Sequence, residues 1–224
     1  MGEADALRNM SDGGQRQNRI EYADVSHLGE KGKPSMKSQD VPGFIGKSIS
    51  LPAGWSRTEN NMGGRTMTTF TSPADNATLS LFDRGLSVQA QSATYYKQLL
   101  TDNAAITAPR VLLPQQIRDL ADVMGVANAG DNQFTNSYTY PNPKSPAFHL
   151  SSAQLIPLNG NITLEVQGNY VDQSGKAGKQ FRGIFVSAGA NADKIREFFL
   201  QADNVATFAK HEKEYREALK TIQW

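Results

Sequence analysis

Cysteine is the first absence, because the 224 residues contain none. Disulfide bonds, thiolate metal sites and a cysteine nucleophile are therefore excluded for this chain. The same absence does not indicate a cellular compartment, since proteins without cysteine occur in bacterial envelopes as well as in the cytoplasm.

The sequence also lacks an excess of charge. Lys and Arg number 23 against 22 Asp and Glu, which gives a formal net charge of +1. The basic residues do not form a cluster along the chain. We therefore expect no nucleic-acid partner, since binding to phosphates requires a concentrated positive surface.

Long apolar runs are missing too. No stretch approaches the ~18 apolar residues of a membrane-spanning helix, and the opening "MGEADALRNMSDGG" lacks the apolar core of a signal peptide. Taken literally, the sequence predicts a cytoplasmic protein without a membrane span. A leader peptide ahead of Met1 in the natural protein would instead place it in the periplasm or cell envelope.

The histidines do not form a metal-binding pattern. His27, His149 and His211 are expected in an N-terminal arm, in a strand and on an exposed helix. None of them has a second histidine at the spacing that a metal ion requires. The sequence therefore predicts no metal ligands.

Other catalytic patterns are absent as well. Glu165 alternates with apolar residues in a strand and is expected to face solvent, and Ser187 lacks the flanking glycines of a nucleophile elbow. The glycines of "NMGGRT" and "GKAGK" lack the Lys and Ser/Thr of a phosphate-binding loop. We expect no catalytic residues, no cofactor and no enzymatic activity.

The composition divides the chain into an arm and a body. Residues 1–40 are polar, with few apolar side chains and mixed charges. Such a segment cannot bury enough surface to offset its ordering entropy, so we expect a flexible arm or one that orders on a partner. Residues 41–224 carry the periodic patterns of a single α+β domain.

Strands open the body. The strand in "SISLP" is expected to end at Pro52, and "RTMTTFTSP" and "ATLSLFDRG" are typical of the next two strands. Two helices are predicted next, one capped by Ser92 before "ATYYKQLL" and one in "PQQIRDLADVMG", with Pro114 in its first turn and Gly125 past its end.

Strands return in the second half. "QFTNSYTY" is predicted as a strand, and Asn159-Gly160 predicts a hairpin between two longer strands. The run Ile184–Val186 indicates a central strand covered on both faces. A helix capped by Asn191 is expected to carry Ile195, Phe198 and Phe199, and a final helix carries Phe208, Tyr215 and Leu219. The predicted fold class is α+β, an antiparallel sheet with helices packed on its faces.

The aromatic residues allow two interpretations. Five tyrosines, namely Tyr95, Tyr96, Tyr138, Tyr140 and Tyr170, could line a groove for a partner. Their strand and helix spacing favours burial in the core, and Trp55 is likewise expected to pack rather than to bind. The residues that would bind a partner therefore stay unknown.

Several segments together resemble a known family. "FIGKSISLPAGWSR", "MTTFTSPADNATLSLFDRG" and the closing "YREALKTIQW" are similar to the PsbP-like and DcrB-like superfamily, over residues 43–224. The resemblance implies an αβα sandwich, with Trp55 as a marker of the fold. It also implies a non-enzymatic module, because the family includes photosystem extrinsic subunits, bacterial envelope lipoproteins and cytoplasmic chaperones of type VI secretion effectors.

Three functional hypotheses follow. The first is a binding or adaptor module of bacterial type with a protein partner. The second is a secretion effector chaperone or immunity protein, cytoplasmic and homodimeric, which requires an exposed apolar groove. The third is an enzyme with an unrecognised site, which requires ionisable residues that converge in one pocket.

Overall fold

The computed structural model describes residues 35–39, 46–61, 66–87, 90–120, 147–171, 177–188 and 194–224. The elements in chain order are β1 (Met36–Gln39), β2 (Ile49–Pro52), β3 (Ser56–Asn61), β4 (Thr66–Thr71), β5 (Thr78–Ser87), α1 (Ala90–Asp102), β6 (Arg110–Val111), α2 (Pro114–Asp119), β7 (Ala147–Leu158), β8 (Asn161–Val171), β9 (Ala177–Ala188), β10 (Lys194–Ala202) and α3 (Val205–Lys220).

Eight of these strands form one sheet in the order β3-β4-β5-β10-β9-β8-β7-β6. Every neighbouring pair is antiparallel. The strands β1 and β2 form a separate antiparallel pair. The strand β1 lies inside the segment 1–40 that was predicted as an arm, and residues 1–34 and 40 of that segment lie outside the described residues.

Helices cover both faces of the sheet. On one face, Phe208, Tyr215 and Leu219 of α3 pack against strand residues such as Phe70 and Phe198. We call this cluster the α3-side core. On the other face, Tyr96 and Leu99 of α1 pack against residues of β8, β9 and β10. We call this cluster the α1-side core. The structure therefore confirms the α+β class, with an antiparallel sheet between helical layers.

The predicted hairpin joins β7 and β8. Asn159 and Gly160 have φ angles of 48° and 87°, and Leu158 lies opposite Asn161. These positive φ values explain why Asn and Gly occupy the turn. The side-chain amide of Asn159 also donates hydrogen bonds to the carbonyl oxygens of Leu219, Lys220 and Ile222, at 3.3, 3.1 and 2.7 Å. The hairpin thus holds the end of α3 and the tail that follows it.

The strand β9 has the central position that its apolar run predicted. It pairs with β8 on one side and with β10 on the other, and residues 181–186 are all buried. A Cβ atom on Gly183 would come within 2.6 Å of the Phe199 Cβ atom. Position 183 therefore requires glycine, because any side chain there would clash with Phe199 on the neighbouring strand.

The predicted helix around Ile195, Phe198 and Phe199 is wrong, because Lys194–Ala202 form the strand β10. This strand lies between β5 and β9 and is covered on both faces. Ile195 and Phe199 pack in the α1-side core, whereas Phe198 packs in the α3-side core. A strand that is apolar on both faces does not alternate, so its pattern resembles that of a buried helix. Asn191 lies outside the described residues.

The remaining boundaries differ in part from the prediction. The helix α1 begins at Ala90, so Ser92 lies inside the helix and is not its N-cap. The helix α2 begins at Pro114 as predicted, whereas Gly125 and the strand expected in "QFTNSYTY" lie outside the described residues. The strand β3 had not been predicted, because all six of its residues are exposed and it carries no apolar alternation.

Candidate functional site

An ion pair lies buried between the sheet and α3. The Nε and Nη2 atoms of Arg182 on β9 donate to the two carboxylate oxygens of Glu165 on β8, at 2.9 and 2.8 Å. Their side chains are 4% and 2% exposed. The expectation that Glu165 faces solvent is therefore wrong. The polar face of β8 is covered by α3, and the charge of Glu165 is matched by the guanidinium group beside it.

The pKa values of this pair move apart. Burial opposes the charge on both groups, but the hydrogen bonds and the opposite charge of the partner outweigh it. The pKa of Glu165 is consequently lowered and that of Arg182 is raised. Both groups are charged at neutral pH.

The ion pair belongs to a network that reaches α3. The Nη1 atom of Arg182 donates to Gln167 Oε1 at 3.0 Å and to Glu212 Oε1 on α3 at 2.5 Å. Gln154 on β7 donates to Glu165 Oε2 at 2.7 Å. The guanidinium group thus joins β9 to β8 and α3, and Glu165 extends the network to β7.

Tyr215 lies in the core beside this network. Its ring stacks on Phe198, with 5.4 Å between the ring centroids. Burial, followed by the charge of Glu165, raises the pKa of its hydroxyl well above the usual range. The hydroxyl is therefore protonated at neutral pH, and it has no hydrogen-bond partner among the described residues.

A second polar cluster joins α3 to the turn between β4 and β5. His211 Nε2 lies 2.8 Å from Asp75 Oδ1, and its ring contacts Trp55 edge to face, with the centroids 5.1 Å apart. His211 is only 3% exposed, so the prediction of an exposed histidine is wrong. Trp55 is partly buried and packs against the α3-side core, so the expectation that it packs agrees with its position.

Asp75 also forms an ion pair with a lysine. Lys210 Nζ lies 2.6 Å from Asp75 Oδ2. The hydrogen bond from Lys210 is the largest cause that lowers the pKa of Asp75, and contacts with Ser72 and His211 lower it further, against a smaller opposing effect of burial. On the other side of the ring, His211 Nδ1 lies 3.4 Å from Glu214 Oε2. The two carboxylates therefore lie on opposite sides of one imidazole.

The histidines do not meet at one site. His211 is placed as described above, the backbone of His149 lies in β7, and His27 lies outside the described residues. Over the part of the chain that the structure describes, no group of three His, Cys, Asp or Glu side chains could hold a metal ion. The buried charges at α3 instead pair with each other, an arrangement that fixes the position of the helix.

Sequence reasoning missed the role of Arg182. Its neighbours in "QFRGIFVSAG" are mostly apolar, and the sequence pattern assigned Arg182 no role. A signal was available, because Glu165 and Arg182 lie on strands joined consecutively in an antiparallel sheet. Opposite charges on adjacent strands form a cross-strand pair when the register brings them together.

The three predicted tyrosines that the structure describes pack with the core. Tyr96 is buried, and its hydroxyl donates to the carbonyl oxygen of Phe185 at 2.9 Å. Tyr95 and Tyr170 pack partly buried against the α1-side core. Burial, followed by the charge of Glu197, raises the pKa of Tyr170 above its usual range. Tyr138 and Tyr140 lie outside the described residues, as do residues 62–65 of "NMGGRT" and residues 175–176 of "GKAGK".

The strand β3 lies at one end of the strand order and is exposed along its whole length. All six residues from Ser56 to Asn61 are exposed. In the described residues β3 pairs only with β4, so β3 is the edge strand on this side of the sheet. Arg57 and Glu59 form an exposed ion pair, and the Arg57 guanidinium lies 5.8 Å from the centroid of the Phe70 ring.

The opposite edge is shorter and more apolar. The strand β6 has only the two residues Arg110 and Val111. Within the described segments the large apolar side chains that are exposed are Val111, Leu113 and Val205. An effector chaperone requires a broad apolar groove, and these three side chains are too few to line one within the described segments.

Comparisons with known proteins found similar solved structures at low sequence identity. No family model matches the chain, and no curated protein does. The solution structure of cyanobacterial PsbP from Synechocystis sp. PCC 6803 is 10% identical, with a TM-score of 0.46 and coverage of 88% of this chain and 96% of that chain. PA94 of Pseudomonas aeruginosa, a protein of unknown function, is 12% identical, with a TM-score of 0.39 and coverage of 84% and 95%.

The first of these structures bears the PsbP name that the sequence resemblance indicated. At such low identity and TM-score, neither likeness carries information about partners or activity. Among the described residues, no helix is both long enough and apolar enough to cross a membrane.

Proposed function

We propose that this chain is a non-enzymatic module that binds a protein partner along the outer edge of β3. The observation that carries the proposal is the exposure of all six residues of this strand, which pairs on one side only in the described part of the chain. A partner segment in extended conformation can add to such an edge through main-chain hydrogen bonds.

The packing behind β3 supports this function. The strands β4 and β5 form a continuous antiparallel ladder from β3 to the centre of the sheet. Phe70 of β4 is buried in the α3-side core. The edge is therefore backed by packed strands, so little backbone entropy would be lost when a partner binds.

The environment of the buried charges favours binding over catalysis. Glu165 and Glu212 both accept hydrogen bonds from Arg182 between the sheet and α3. Asp75 and His211 are likewise engaged with each other. These groups have a structural role that needs no substrate, so we assign the chain no reaction.

Proline substitution tests the edge. In an antiparallel strand, alternate residues direct their N–H and C=O groups toward one neighbour. Of the adjacent residues Thr58 and Glu59, one therefore directs its N–H toward β4 and the other directs its N–H toward the outer edge of β3. Proline at the outward position removes an edge donor and leaves the ladder intact, whereas proline at the inward position breaks a ladder hydrogen bond.

We would prepare Thr58→Pro and Glu59→Pro, identify the outward position by its retained thermal stability, and compare capture of proteins from the native host. Each captured protein would then be purified and titrated directly. We expect at least one partner to bind the wild-type chain and to lose affinity for the outward proline variant. Equal affinity for the two chains would refute binding at this edge.

A further inference from the structure

The charges of β3 are arranged symmetrically about one residue. Arg57 precedes Thr58 and Glu59 follows it, and the two charged residues lie opposite Phe70 and Thr68 of β4. Phe70 belongs to the α3-side core, so Arg57 and Glu59 are on the same face of the sheet. Antiparallel pairing of this strand with itself would bring opposite charges together.

Two-fold symmetry limits how two such edges can pair. In an antiparallel pair related by a two-fold axis, directly opposite residues must lie on the same face of the joined sheet. The register can therefore shift only by two residues at a time, so that odd-numbered residues face odd-numbered residues and even-numbered residues face even-numbered ones. With Thr58 opposite Thr58, Arg57 of each copy faces Glu59 of the other.

The two neighbouring registers are unfavourable. One places Arg57 opposite Arg57, and the other places Glu59 opposite Glu59. Opposite charges in cross-strand pairs are stabilising and like charges directly opposite are destabilising. The charge pattern thus selects a single register, and the same charges discourage indiscriminate pairing of the edge.

We infer that the partner which β3 fits is a second copy of this chain, with the two β3 strands antiparallel and Thr58 opposite Thr58. The inference rests on the proposed function and names its partner. The two sheets would then continue into one another across the two-fold axis, with main-chain hydrogen bonds along the joined edges.

The existing ion pair does not oppose this assembly. The Arg57 and Glu59 side chains are 35% and 51% exposed, and an exposed pair contributes little to stability. Exchange of the intramolecular contact for an intermolecular one therefore costs little. Because a six-residue strand is only about 20 Å long, the interface is small and we expect a weak, concentration-dependent dimer.

Charge reversal tests the register. We would measure the dimer dissociation constant of the full chain by sedimentation equilibrium. Arg57→Glu and Glu59→Arg each place like charges opposite twice across the axis, so each should weaken the dimer about tenfold or more. The double variant R57E/E59R restores both opposite pairs and should return to wild-type affinity. An equimolar mixture of the two single variants should form a heterodimer.

A control variant separates this effect from net charge. Lys213 is exposed on α3, so Lys213→Glu changes the net charge as much as Arg57→Glu and should leave the dissociation constant unchanged. Circular dichroism would verify that every variant is folded. Failure of the double variant and of the mixture to recover association would overturn the inference, as would a wild-type chain that stays monomeric. If a different protein still bound β3 in the proline experiment, the proposed function would stand without the second copy.

Discussion

The arginine at position 182 lies on β9 and connects it to a neighbouring strand and to a helix. Its guanidinium group contacts Glu165, Gln167 and Glu212, so two strands and α3 depend on it. It is also almost fully buried. Removal of a buried cation leaves its partner anion without compensation, whereas removal of both charges does not.

We therefore expect Arg182→Met to lower the free energy of unfolding by about 3–5 kcal/mol. The double variant Arg182→Met with Glu165→Met should be more stable than Arg182→Met alone, because no isolated buried carboxylate remains. Urea unfolding of the wild-type chain, Arg182→Met, Glu165→Met and the double variant would give the coupling energy between the two residues. A double variant whose loss equals the sum of the single losses would show that the two residues act independently.

A surface arginine provides the matched control. The side chain of Arg216 is 48% exposed and contacts Glu212 at 3.1 Å. Arg216→Met should change the free energy of unfolding by no more than about 0.5 kcal/mol, as is usual for surface positions.

At the scale of elements, the end of α3 depends on a hairpin more than 50 positions earlier in the chain. Asn159 donates to the last carbonyl groups of the helix, and Trp224 Nε1 donates to the carbonyl oxygen of Leu158 at 2.9 Å. The backbone N–H of Gln223 also donates to the carbonyl oxygen of Ser48 at 3.1 Å. The β7–β8 turn and the segment before β2 thus hold the closing tail together.

We expect Asn159→Gly to lower the free energy of unfolding by about 1–2 kcal/mol through loss of the side-chain hydrogen bonds. Glycine keeps the positive φ of the turn without strain, so the variant isolates the amide. Hydrogen exchange at Leu219 and Ile222 would localise the effect. Asn159→Asp retains the size but directs a carboxylate at three carbonyl oxygens, so it should be less stable than the glycine variant. Wild-type stability in both variants would contradict this role.

At the scale of the whole molecule, lowered carboxyl pKa values link stability to pH. The pKa of Glu165 and that of Asp75 lie below their ordinary values of 4.5 and 3.8. Folding therefore favours the charged forms of both carboxyl groups. The stability that this contributes is fully present at pH values above their ordinary pKa values. It is lost as the pH falls through them toward the lowered values, because the unfolded chain takes up protons first.

We accordingly expect the free energy of unfolding to decrease as the pH falls below the ordinary carboxyl range. Urea unfolding at a series of pH values would measure the decrease. Asp75→Asn removes one of the two groups and should give a shallower dependence than the wild-type chain. A free energy that stays constant down to strongly acidic pH would contradict the prediction.

The fold was predictable from the sequence where local signals suffice. The Asn159-Gly160 turn requires positive φ angles, Pro52 ends a strand, and the apolar run at residues 184–186 indicates a central position. Such signals depend on the backbone preferences of neighbouring residues, which the chain carries wherever it is folded. The α+β class and the helical cover of the sheet followed from them.

Burial and pairing required the tertiary structure. The β10 segment resembles a helix until β5 and β9 enclose it, and β3 shows no pattern because its side chains remain in water. Glu165 and His211 were expected in solvent, yet Arg182 and α3 cover the first and Asp75 and Trp55 enclose the second. The turns and the apolar segments follow from the sequence, because they depend on neighbouring residues, and the balance of charge follows from composition. The burial of polar residues and the identity of the edge strand follow from the tertiary structure, because these properties depend on residues far apart in the chain.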